Sequence, residues 1–141
     1  MDSDGVVNEP LEIHVDMTVQ GDQVHVSLSR SSKPCAGPMN SVWASTVSAV
    51  YLAFKHVFPE VPINAGCFRP ITVEKPKGTF LFAEYPRPVA GCAAEVSQRV
   101  MESMFTALAH AVPERLFGAP AGTSGNLNIS GVDPETGNPY V

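Results

Sequence analysis

With 141 residues, 44% of them apolar, the chain has the size of one domain and is long enough to bury a core. A formal net charge of −5, with acids and bases scattered, provides no basic face for phosphates and argues against nucleic acid as a partner. There is no run of about 18 apolar residues to span a membrane. The first residues lack the apolar core of a signal peptide. Cys35, Cys67 and Cys92 are widely spaced with no C-x-x-C, which reads as free thiols in a reducing cytoplasm.

Residues 1–10 are polar and end at Pro10, and are expected to form a flexible or docking arm. An α+β body over 11–116 follows, then a loop-rich tail over 117–141 that is expected to dock on a partner subunit. In the body, Leu11, Ile13, Val15, Met17 and Val19 alternate with polar residues, as do Val24, Val26 and Leu28, with Gly21-Asp22 between the runs. Period-two alternation around such a loop predicts a β-hairpin in which Val19 faces Val24, Met17 faces Val26 and Val15 faces Leu28.

Turn residues fill 30–40, and Asn40 or Ser41 is placed to cap a helix over 41–58. Its apolar stripe contains Trp43, Val47, Val50, Tyr51, Phe54, Val57 and Phe58, and Pro59 and Pro62 end it. Short strands are expected at Ile71 to Glu74 and Thr79 to Phe82, with an extended Tyr85-Pro86-Arg87-Pro88 loop after them. A second helix from about Ala94 to Val112 carries Val100, Met101, Met104, Phe105, Leu108 and Val112. The tail is rich in Gly, Asn, Ser and Pro. A short strand at Asn126 to Ser130 and a turn at Asp133-Pro134-Glu135-Thr136-Gly137 are expected there.

Three segments carry a resemblance: Gly37-Pro38-Met39-Asn40 before an aromatic helix, Asn64-Ala65-Gly66-Cys67-Phe68-Arg69-Pro70-Ile71, and Glu95-Val96-Ser97-Gln98-Arg99-Val100. In order and spacing they are similar to the G-P-[IVM]-N-A, N-A-G-x-F-R-P-[IV] and E-T-S-Q-R-[IV] runs of the hydantoinase B family. The resemblance covers roughly residues 11–141 and matches an internal part of the longer family protein, which continues into another strand where this chain stops. It implies a small accessory subunit of an ATP-dependent ketone carboxylase of the acetophenone-carboxylase kind, structural and in a position to line the substrate cavity. The alternatives are a subunit of a hydantoinase- or oxoprolinase-type amide-ring hydrolase, or a free-standing, non-enzymatic binding protein that keeps the scaffold. It further implies hydantoinase-A-like and hydantoinase-B-like large subunits as partners in a hetero-oligomer. ATP and a divalent metal would sit on those partners, with no cofactor in this chain. Two departures stand out. Gly91-Cys92-Ala93 replaces the family's G-G-N, and Pro120-Ala121-Gly122-Thr123-Ser124-Gly125-Asn126-Leu127 replaces S-Q-G-T-M-N-N-L. Small apolar groups for polar ones shift weight toward a structural role.

The candidate substrate contacts are Arg69, Asn64, Asn40 and Arg99. An arginine beside Asn64 can orient a carboxylate or phosphate. It can equally tie a loop to backbone carbonyls or to Glu95, and the two asparagines serve equally as helix cap and turn residue. His14 and His25 share the hairpin's polar face but lie roughly 13 Å apart at about 3.4 Å per residue, too far to share a metal. Cys67 and Cys92 have no histidine near in sequence, so small buried residues are the simpler reading than nucleophiles. No G-x-x-x-x-G-K-[ST] run is present to hold ATP.

Overall fold

The computed structural model describes the whole chain except Ala119, Asn126, Asn128 and Val141. Strand β1 (Asp16–Gln20) turns through Gly21-Asp22 into β2 (Gln23–Ser27). Gly21 takes φ +60°, the left-handed conformation that a tight loop needs and that costs glycine little. The register pairs Met17 with Val26 and Val19 with Val24, as the alternation predicts. Val26 and Leu28 are fully buried, whereas Val19 protrudes at the exposed tip. Regular pairing stops at Asp16. Beyond it, Ser32 Oγ accepts from the Glu12 N–H (2.9 Å) and Ser31 Oγ from the His14 N–H (3.1 Å), so serine side chains take over from the ladder.

β3 (Ile71–Val73) adds parallel to β2, giving the order β1-β2-β3. A parallel neighbour needs a crossover, and helix α1 (Trp43–Val57) provides it. Its buried residues are Thr46, Ala49, Val50, Ala53, Phe54 and Val57, one face of a helical repeat. Small residues dominate this face and admit helix α2 (Ser97–Leu108), which buries Val100, Met104, Phe105 and Leu108. The expected aromatics flank the face: Tyr51 stacks on Phe68 at 4.4 Å and Trp43 leans on Phe82 at 6.1 Å.

Several expectations are corrected. Helix α1 has no side-chain cap; its N-cap is Val42. Helix α2 ends at Leu108, followed by a turn and a short 3-10 stretch at Pro113–Arg115. It begins with a π-helical turn at Cys92–Val96, where the Val96 N–H reaches the Gly91 carbonyl at 3.1 Å. Thr79 to Phe82 is a turn, not a strand, because other elements claim its backbone groups one at a time. The Phe80 N–H donates to Ser32 O and the Ser41 N–H to Phe80 O, while the Phe82 N–H closes back on Thr79 O. Thr46 Oγ1 also donates to Leu81 O at 2.8 Å. Residues 84–87 make a turn around a cis Tyr85–Pro86 bond. Of the strand expected over 126–130, Asn126 and Asn128 lie outside the described residues. Strands form instead at β4 (Gly131–Val132) and β5 (Pro139–Tyr140), an antiparallel pair joined by the expected turn, with the Gly137 N–H on Asp133 O.

Residues 1–10 lie along the body. Met1 and Leu11 exchange backbone hydrogen bonds at 2.9 Å. Asp4 is buried, and its carboxylate accepts the N–H groups of Val6, Val7 and Gly37. A Cβ on Gly37 would fall 2.0 Å from the Asp4 carbonyl oxygen, so only glycine admits the arm there. The backbone donors of Val7, then Gly37 and Val6, hold the Asp4 carboxyl at about 2, below its ordinary value of 3.8. A depressed folded-state value means this contact is fully present above about pH 4. It is lost as pH falls through about 2. A carbon-13 titration should place the Asp4 midpoint near 2, with the Gly37 amide shift following it; a midpoint near 3.8 would refute the contact.

Candidate functional site

The three motif segments occupy three separate places. In the first, loop 35–40 wraps around the fully buried side chain of Asn40. Its Oδ1 accepts the Cys35 N–H (3.0 Å). Its Nδ2 donates toward the carbonyls of Cys35 (3.1 Å), Gly37 (3.0 Å) and Pro88 (3.0 Å). One amide thus joins the loop before α1 to the segment that leads into α2. Cys35 is buried beside it, and burial, aided by the nearby Asp4 charge, raises its thiol pKa.

The second place is the loop between α1 and β3. Asn64 is exposed, and its Oδ1 accepts the Gly66 N–H at 2.8 Å. Consecutive turns follow, with Cys67 N–H on Asn64 O, Arg69 N–H on Gly66 O and Ile71 N–H on Phe68 O. The coil lays Phe68 on Tyr51 and leaves an apolar slot of about 330 Å3 walled by Val24, Phe54, Phe58, Val61, Phe68 and Ile71. Such a volume is at the lower bound of small-molecule sites. The Lys55 ammonium beside the slot is spent on the carbonyls of Phe58, Pro59 and Val61. Arg69 is exposed, and among the described residues its guanidinium has no hydrogen-bond or ion-pair partner.

The third place is the start of α2. Arg99 Nη1 donates to Glu102 Oε2 (2.6 Å) and Nη2 to the Ala121 carbonyl (2.9 Å). Thr123 Oγ1 donates to Glu95 Oε1 (2.8 Å), Ser124 Oγ to the Ala94 carbonyl (3.2 Å), and Gln98 Nε2 spans Ala94 O and Ser124 Oγ. Arg99 therefore reaches a backbone carbonyl, one of the two uses open to it from sequence, with Glu102 rather than Glu95 as its carboxylate. Sequence reasoning did not single out Thr123 and Ser124, because nothing local links residues more than twenty positions apart. The run of small residues at 121–125 was the available signal, read as a loss of contacts.

Nothing in the structure brings Arg69, Asn64, Asn40 and Arg99 into one cluster: two face the interior or the tail, and two lie on the surface loop. Among the described residues no group of three or more His, Cys, Asp or Glu is placed to hold a metal ion. The three cysteines are unpaired. No helix among those residues is long and apolar enough to cross a membrane.

Residues 1–141 match the sequence model of the hydantoinase B/oxoprolinase family. The chain belongs to this family. Among its hydantoinase-B relatives, the caprolactamase beta subunit of Pseudomonas jessenii is 32% identical over 131 residues, which is 91% of this chain and 22% of the relative. The B subunit of a putative D-/L-hydantoinase from Pseudomonas sp. strain NS671 is 31% identical over 137 residues, 92% of this chain and 22% of the relative. The crystal structure of the ATP-dependent caprolactamase from Pseudomonas jessenii superimposes with a TM-score of 0.75 at 29% identity, covering 94% of this chain and 23% of that one. This hydantoinase-B chain thus spans about a fifth of the length of these two relatives, and its α+β arrangement is a section of the larger hydantoinase-B fold.

Proposed function

We propose that this chain works as a section of a B-type subunit in an ATP-dependent complex that opens a ring amide, and that it is not a catalyst by itself. The observation that carries this reading is the match of 94% of the chain to 23% of the caprolactamase chain, together with the apolar side chains it leaves in water. Ile63, Phe117, Leu127, Ile129, Val132 and Tyr140 are all exposed, as expected of surface that neighbouring elements cover. The relatives' names favour a cyclic amide over the ketone that the sequence suggested first. A hydantoinase-A-like subunit would bind ATP, and the large B-type partner would hold any divalent metal. Among the described residues no group of three or more His, Cys, Asp or Glu is placed for a metal ion, and the sequence has no G-x-x-x-x-G-K-[ST] run for ATP.

Within such a complex this chain orients rather than reacts. On the exposed loop between α1 and β3, Arg69 offers an uncommitted cation, suited to an anionic or carbonyl oxygen of the bound substrate. Co-expression with the A- and B-type subunits, followed by gel filtration and amide-dependent ATP hydrolysis, tests both parts. The chain should elute in a hetero-complex well above its own 15.0 kDa. Arg69→Ala should leave assembly intact and lower turnover by about 10- to 100-fold, the range for losing a charged hydrogen bond. A lone monomer with no co-purifying chain would overturn the reading, as would an Arg69→Ala complex with unchanged turnover.

A further inference from the structure

The Glu95–Arg99 motif opens a helix and looks, from its residue types, like a substrate contact. The side chains of Glu95, Gln98 and Arg99 are instead turned onto the chain's own loop. Four separate hydrogen bonds cross from this helical face to residues 121–124: Arg99 to Ala121 O, Thr123 to Glu95, Ser124 to Ala94 O, and Gln98 to Ser124. Packing is equally close. Gly122 takes φ +69°, and a Cβ there would fall 2.2 to 2.5 Å from three atoms of the Arg99 guanidinium. The guanidinium thus lies against bare backbone: any Cβ at 122 would push this side chain aside and would sit at a φ that other residues rarely adopt. On its far side Glu102 holds Nη1 at 2.6 Å, with only 13% of its own side chain exposed. A charged group anchored on one side, facing a glycine and ending on a carbonyl, is built to hold a loop.

We infer that Glu95, Gln98 and Arg99 form an intramolecular clasp that fixes loop 121–125 on α2, and that Arg99 is a positioning residue for the tail beyond it. The tail carries several exposed apolar groups. Leu127 is 82% exposed and Ile129 and Val132 are each 65% exposed. The β4–β5 turn is closed by its own bonds: the Asp133 carboxylate accepts from Glu135 N–H and Thr136 Oγ1, and the Tyr140 ring lies over Gly131. A self-closed hairpin that follows a clasped loop starts from a fixed point on the body, which lowers the entropy lost when a partner surface covers it. This second step rests on the proposed assembly; the clasp does not.

The test uses the full chain, alone and co-expressed with its A- and B-type subunits. In the chain alone, nitrogen-15 relaxation should show residues 121–125 as rigid as α2. Arg99→Ala should free them, with cleavage by elastase after Ala121 or Gly122 rising at least tenfold while the amides of residues 100–105 keep their shifts. Gly122→Ala alters no charge and should produce the same release. Arg99→Lys, which lacks the fork needed for Glu102 and Ala121 together, should restore the loop only in part. In the complex, the tail-freed variants should assemble at least tenfold more weakly, with unchanged KM once assembled. If Arg99→Ala leaves loop mobility and assembly unchanged but abolishes turnover, Arg99 touches substrate and the clasp is wrong. If the loop is freed as expected but the native chain joins no partner, the clasp stands and the assembly reading falls.

Discussion

Asn40→Ala is expected to cost about 3 kcal/mol of stability or more, since each buried polar group left without a partner costs about 1–3 kcal/mol. The variant strands the Cys35 N–H and deprives three carbonyls, those of Cys35, Gly37 and Pro88, of their shared donor. The Cys35 and Gly37 groups are buried with Asn40, so they lose a partner where water does not replace it, whereas Pro88 is exposed and its carbonyl can turn to solvent. Asn40→Asp should be no better: it keeps an acceptor for Cys35 but turns a negative charge on the three carbonyls. Urea denaturation of both variants checks the expectation. A variant of native stability that loses only activity would instead make Asn40 a substrate contact.

Phe80→Ala is expected to cost about 3–5 kcal/mol, the usual range for truncating a buried aromatic ring. Phe80 has no exposed surface and heads the fully buried side chains by volume. Its backbone also links two layers, with the N–H on Ser32 O and the carbonyl accepting from Ser41. Total stabilities of about 5–15 kcal/mol leave little reserve, so thermal unfolding should drop by about 10 °C or more. Ile63→Ala removes apolar mass from a site 77% exposed and should change stability by less than about 0.5 kcal/mol. Calorimetry of the pair decides the point. Equal small losses would mean that the residue 79–82 turn is not packed as described.

The hairpin and its register were legible because period-two alternation is local and a one-residue slip would turn Val26 and Leu28 outward. Helix α1 was legible for the same reason at a longer period. Its capping was misread: Asn40 is a good cap type by local preference, yet its amide is drawn inward to Cys35, Gly37 and Pro88. Thr79 to Phe82 has the composition of a strand, but Ser32, Ser41 and Thr46 each take one of its backbone groups. Arg69 stood out from its motif and lies exposed, whereas Arg99, equally prominent, is turned onto the tail.

By itself the sequence determined the periodic elements, the lack of a basic face and the three ordered motifs that carry the family, because each depends on residues near one another in the chain or on composition. Only the tertiary structure decided where each motif's side chains go. Asp4 closes on Gly37 across 33 residues, Asn40 on Pro88 across 48, and Arg99 on Ala121 across 22. Hydrogen-bonding groups are satisfied by whatever folding brings within about 3 Å, so their partners are set by the packing of α1, α2 and the sheet rather than by their neighbours in sequence.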